Sequence, residues 1–191
     1  MKIEFKKINT IPNWVSVSRF LLIIPIFVLL DKIPEGYEYR IYSGILMLLA
    51  GFTDLLDGHL ARKLNQISEL GKIIDPLADK IAVALIVIKL FLIGVVPGYY
   101  ILVILLRDLV ILLGGIYVSS RIGKVLPSNL LGKITVLTIC FYLLGLVLDV
   151  AQIPWLHDFL LYLSLIMSFV SVIGYGIRGR DALKWSKNEA V

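Results

Sequence analysis

Residues 54–80 read DLLDGHLARKLNQISELGKIIDPLADK. Asp54, Asp57, Gly58, Ala61 and Arg62 are spaced by three, four, seven and eight from the first of them, which on a helix forms one stripe. Gly71, Asp75 and Asp79 follow at four-residue intervals and share a face in the same way. The stretch therefore predicts the end of one helix, a short turn and the start of another, with four carboxylates brought together across the turn. Anions so placed repel one another and lose hydration, so a cation belongs among them. The ordinary alternative for any one aspartate is a solvated helix cap or an ion-pair partner, and Asp75, directly before Pro76, suits a helix start. Caps do not call for two matched stripes with the small residues Gly58 and Ala61 among the acids.

The flanks of this stretch are apolar. The chain of 191 residues is 59% hydrophobic and 17% charged, with a mean hydropathy of +0.91, too apolar for an ordinary water-soluble domain of that size. Six apolar stretches stand out, at 15–30, 41–56, 81–96, 99–118, 134–148 and 155–175. With their flanks each approaches the ~20 residues that a helix needs to cross roughly 30 Å of hydrocarbon. Open strands would leave backbone groups unpaired in lipid. The expectation is an all-α integral membrane protein of six transmembrane helices, forming a single domain over residues 1–191 without internal repeat or linker. Cys140 has no second cysteine with which to form an internal disulfide. The lysine-bearing start resembles a signal peptide but lacks a small-residue cleavage site, so it is expected to be retained.

Sidedness follows from Lys and Arg. The N-terminus (Lys2, Lys6, Lys7), the second connection (Arg62, Lys63, Lys72), the fourth (Arg121, Lys124, Lys133) and the C-terminus (Arg178, Arg180, Lys184, Lys187) are basic, whereas the alternate connections are acidic or uncharged. Both termini and the aspartates are therefore expected on the cytoplasmic side of the cell's inner (cytoplasmic) membrane. The net charge of +5 then reflects topology and anionic lipid head groups, with no nucleic acid implied. Before the first span, PNWVSVSRF suggests a short N-terminal interfacial helix with Trp14 and Arg19 at head-group depth.

Carboxylates without a neighbouring His or Cys set suit hard cations such as Mg²⁺ or Mn²⁺, and a pair of such ions can clamp the attacking and leaving oxygens of a displacement at phosphorus. Gly58 and Ala61 keep bulk off that face, and Arg62 offers a fork of donors for phosphate. Elsewhere, Arg107 and Asp108 fall in the middle of the fourth apolar stretch, and Lys133 at the start of the fifth. A charge at that depth calls for a wet cavity, a substrate anion or a structural pair such as Arg107 with Asp108. Gly114, Gly115, Gly174 and Gly176 suggest close helix contacts or a kink, Pro25 suggests a bend in the first span, and His157 shows no partner set.

The run from Asp54 to Asp79 resembles the signature of the CDP-alcohol phosphatidyltransferase family, D-x2-D-G-x2-A-R-x8-G-x3-D-x3-D, matching it at every fixed position. The resemblance extends to the IPNWVSVSR segment and the six-helix layout. It implies an enzyme in which a pair of Mg²⁺ or Mn²⁺ ions, held by Asp54, Asp57, Asp75 and Asp79, grips the diphosphate of CDP-diacylglycerol. Asp79 corresponds to the family's general base, which deprotonates an alcohol acceptor whose oxygen attacks the lipid-bearing phosphorus while CMP leaves. Gly58, Ala61, Arg62 and Gly71 would line the nucleotide and diphosphate site. Arg107 and Lys133 resemble the acceptor-phosphate positions of members that use glycerol 3-phosphate or inositol phosphate. A homodimer is also implied.

The acceptor stays open between glycerol 3-phosphate, placed first, phosphatidylglycerol as in cardiolipin synthases, and another small alcohol such as inositol phosphate or serine. Glycerol-phosphate users commonly show Arg-Glu where this chain has Arg107-Asp108, and Gly-Lys-x-Lys-Thr where it has Gly132-Lys133-Ile134-Thr135-Val136. The rival classes are an intramembrane prenyltransferase and a divalent-cation transporter. Against transport, the acids cluster at one edge, with no matching set deeper in the membrane.

Overall fold

The computed structural model describes the backbone of residues 11–63, 71–123 and 130–188 and the side chains of residues 21–53, 81, 83–123 and 130–185. It comprises α1 (Ile11–Asp31), α2 (Tyr37–Lys63), α3 (Gly71–Leu92), α4 (Gly98–Ile122), α5 (Leu130–Val147) and α6 (Pro154–Asn188), with short 3-10 turns at Ile33–Glu35 and Val150–Gln152. No strand occurs among the described residues. Among them α4, α5 and α6 are long and apolar enough to cross a membrane. The helices group into two compact units that divide between Val95 and Val96.

In the first unit, α1 packs on α2 and α3. Ile23, Ile26 and Leu30 form its buried stripe at helical spacing, and Ile33 in the turn that follows and Val87 and Leu90 of α3 are buried in the same unit. PNWVSVSRF is not a separate interfacial helix: it lies within α1, which runs unbroken from Ile11. No glycine or proline stands between Trp14 and Ile24 to stop the helix there. At the far end of α1, the side chain of Lys89 meets Asp31 at 2.5 Å, with its ammonium 5.5 Å from the Phe27 ring centroid. That pair sets the C-terminal ends of α1 and α3 together, and the turn at Ile33–Glu35 brings the start of α2 to the same end. The last turns of α2 and the first turns of α3 therefore share the opposite end of the unit.

α3 ends earlier than hydropathy predicts. Gly94 adopts φ 76, its N–H bonds the carbonyl of Phe91 at 2.9 Å, and the N–H of Val95 bonds back to Leu90 at 2.9 Å. This left-handed stop suits a residue without Cβ.

In the second unit, α6 packs on both α4 and α5. Gly132, Thr135, Ile139, Tyr142, Leu143 and Leu146 are the buried face of α5. The contacts Thr135 to Met167 and Tyr142 to His157 run in opposite chain directions, so α5 and α6 are antiparallel. Those of α4 run with α6: Tyr100 bonds Ser164 and Arg107 bonds Ser171. The contacts expected of Gly114, Gly115 and Gly176 fall elsewhere. Gly114, Gly115 and Gly176 have nothing within 4 Å of an added Cβ, whereas Gly179 would place one 3.1 Å from Val118, and Gly145 one 3.2 Å from Leu160. Spacing alone shows that glycines are present, not which face they occupy.

Candidate active site

The signature divides between two helices of the first unit. Asp54, Asp57, Gly58, Ala61 and Arg62 lie in the last turns of α2, and Gly71, Asp75 and Asp79 in the first turns of α3. Both segments are helical, so each set of positions shares a face as the spacing predicts. Asp75 does not precede the helix: α3 begins four residues earlier, at Gly71, which removes the reading of Asp75 as its cap. The side chains of these eight residues lie outside the described ones, and so do the metal, base and nucleotide roles expected of them.

The second unit presents its polar chemistry along α6. Ser164, Ser168 and Ser171 are all buried and spaced four and three apart. Each hydroxyl donates to a carbonyl of its own helix: Ser164 to Leu161 at 2.9 Å, Ser168 to Ser164 at 2.7 Å and Ser171 to Ser168 at 2.9 Å. With their protons so used, the serine oxygens can only accept from neighbours. Two α4 side chains take up the offer. Tyr100 donates its hydroxyl to Ser164 at 3.0 Å, and Arg107 donates Nε to Ser171 at 3.1 Å.

Arg107 also donates from Nη1 to Asp108 at 2.5 Å, and its side chain is only 5% exposed. The structural pair foreseen for this charge is thus present. Lys133 stands exposed on the first turn of α5, with no hydrogen bond or ion pair to a described residue. Its depth follows from register. Thr135 faces Met167 and Arg107 faces Ser171; four residues onward along α6 are four back along antiparallel α5, so Arg107 is level with Leu131. Lys133 is then displaced from that level by about 3 Å of helix rise. Thr135, where the second lysine of the phosphate pattern would fall, is buried and donates to the carbonyls of Leu131 at 2.8 Å and Met167 at 3.0 Å. That position serves helix packing.

A second polar cluster closes the opposite end of this unit. The Tyr100 and Tyr142 rings lie 4.6 Å apart, Tyr142 Oη is 3.4 Å from His157 Nε2, and His157 Nδ1 is 3.1 Å from Asp158. His157 therefore has the partners that the sequence did not reveal. Sequence reasoning also missed Ser171, although three serines at helical spacing in an otherwise apolar helix are a signal for a polar interhelical seam.

Comparison with known proteins bears on what such a chain does. Residues 9–170 match the family described as CDP-alcohol phosphatidyltransferase. The chain is 31% identical over 192 residues to the CDP-diacylglycerol–glycerol-3-phosphate 3-phosphatidyltransferase of Bacillus subtilis, covering 92% of this chain and 98% of that protein. It is 35% identical over 175 residues to the protein of the same name from Aquifex aeolicus, covering 88% and 95%. To the cardiolipin synthase (CMP-forming) of Streptomyces coelicolor it is 34% identical over 135 residues, covering 69% and 62%.

Proposed function

The chain belongs to the CDP-alcohol phosphatidyltransferase family, and from that premise we propose that it transfers the phosphatidyl group of CDP-diacylglycerol to glycerol 3-phosphate, forming phosphatidylglycerophosphate and releasing CMP. The observation that carries the acceptor is likeness along almost the whole chain to two proteins named for that reaction.

The aspartate positions fit a divalent-metal centre: they offer oxygen donors alone, on helices whose ends share one end of the first unit. Asp54, Asp57, Asp75 and Asp79 would hold a pair of Mg²⁺ or Mn²⁺ ions. Bound there, the ions supply positive charge against the diphosphate and the charge that grows on it during displacement. Gly58 and Ala61 leave room for the nucleotide, Arg62 pairs with phosphate, and Gly71 opens the facing helix. Asp79 takes the proton of the acceptor hydroxyl, whose oxygen bonds to the lipid-bearing phosphorus as the bond from that phosphorus to the CMP oxygen breaks. Arg107 and Lys133 receive the phosphate of the acceptor.

We extend the reading to the molecule's setting. All six helices span the membrane, both termini and the aspartates face the cytoplasm, and the protein works as a homodimer in the cytoplasmic membrane. The alternation of Lys and Arg between connections supports the sidedness. Transfer to phosphatidylglycerol is the second reading, favoured by Thr135 at the position of the second lysine and by the likeness to a cardiolipin synthase.

The test is CMP release from CDP-diacylglycerol by the purified protein in detergent, with glycerol 3-phosphate or phosphatidylglycerol as acceptor, with and without EDTA. Release that requires glycerol 3-phosphate and stops with EDTA is expected. Release with phosphatidylglycerol alone selects the second reading. Metal flux into vesicles without CMP from either acceptor would return the protein to the transporter class.

A further inference from the structure

An arginine carries five N–H donors in a rigid planar fork. Among the described residues Arg107 uses Nε on Ser171 and one hydrogen of Nη1 on Asp108. This leaves both hydrogens of Nη2 and one of Nη1. Asp108 is the next residue on the same helix, and adjacent helical positions do not face each other, so this pair alone is a poor clamp on the orientation of the guanidinium. Ser171 differs in kind. It stands on another helix, is 0% exposed, and has its own proton committed to Ser168, so its oxygen meets Nε in one fixed sense.

We propose that Ser171 is a positioning residue for the phosphate-binding arginine: by holding Nε from across the α4–α6 contact, it fixes the plane of the fork and leaves the Nη2 edge to the phosphate of the acceptor. The inference rests on the reading of Arg107 as an acceptor-phosphate contact. A two-point contact with phosphate depends on the orientation of the guanidinium plane as well as on its charge. Losing Ser171 therefore weakens capture of a phosphorylated acceptor and leaves the displacement step alone.

The test is CMP release from CDP-diacylglycerol by the purified full-length protein, with glycerol 3-phosphate titrated for wild type, Ser171→Ala, Ser171→Thr, Ser164→Ala and Arg107→Ala. Ser171→Ala is expected to raise the KM for glycerol 3-phosphate about tenfold with kcat changed less than about twofold. Ser171→Thr, which keeps the hydroxyl, restores the KM. Ser164→Ala removes the comparable buried acceptor of Tyr100, away from Arg107, and leaves the KM within about twofold. Should Ser171→Ala fail to fold, Ser171→Cys, with a weaker acceptor of similar size, is read in its place. A loss confined to kcat, or an equal effect from Ser164→Ala, would mark a merely structural role and overturn the proposal. An unchanged KM in Ser171→Ala beside a raised KM in Arg107→Ala overturns the positioning role and keeps the acceptor site. An unchanged KM in Arg107→Ala, or wild type that ignores glycerol 3-phosphate, removes the acceptor reading and the proposal with it.

Discussion

Asp57 and Arg107 illustrate how differently two charges can be legible. The role proposed for Asp57 depends on its place in a pattern of fixed spacings, and a pattern is visible in the chain: α2 is helical from Tyr37 through Lys63, so the stripe exists as read. Asp57→Asn keeps an oxygen and removes a charge. It is expected to lower CMP release at least about tenfold and to raise the Mg²⁺ concentration for half-maximal activity. A Mg²⁺ titration of the variant in detergent checks this, and an unchanged profile takes Asp57 out of the proposed metal set. For Arg107, the sequence supplied one partner, its neighbour Asp108, and could not supply the other. Ser171 lies 64 positions away and only the packing of α6 on α4 makes it a neighbour. His157 is similar: its nearest new partner, Tyr142, comes from the preceding helix across a turn.

Helices were legible wherever apolar runs were long, and their ends were less so. Hydropathy placed the third span at 81–96, but α3 occupies Gly71–Leu92, because hydropathy is blind both to the charged turns that begin the helix and to the left-handed glycine that stops it. Gly94→Ala forces a Cβ into φ 76 and is expected to cost about 1 kcal/mol, a fall of about 2–4 °C in the unfolding midpoint. Gly114→Ala is the control: the site is helical with nothing within 4 Å, so alanine is expected to leave the midpoint unchanged or raise it slightly. Thermal unfolding of the two purified variants in one detergent makes the comparison. Gly179, where an added Cβ would lie 3.1 Å from Val118, shows why the glycines that matter for packing could not be chosen in advance. Its role depends on which face of α6 turns toward α4.

At the scale of the molecule, each unit alternates helix direction in chain order, as an up-and-down membrane protein requires. In the first unit, α1 and α3 finish at the Asp31–Lys89 pair; in the second, α4 runs with α6 and against α5. The sidedness proposed from Lys and Arg is checked by impermeant thiol labelling of intact cells, using single cysteines placed in a Cys140→Ala background. Cysteine at Gly36 or Ala151 is expected to react, and cysteine at Lys2 or Lys187 only after permeabilisation. The reverse pattern would move the aspartates to the other face. One feature of α4 also bears on how such a chain is made. Helices leave the ribosome in order, so α4 is synthesised before Ser171 exists to receive its arginine. Arg107 already has its counter-ion in the next residue, on the same helix. The segment can thus meet the lipid during synthesis with its charge balanced from within, and the later arrival of α6 has only to orient that charge.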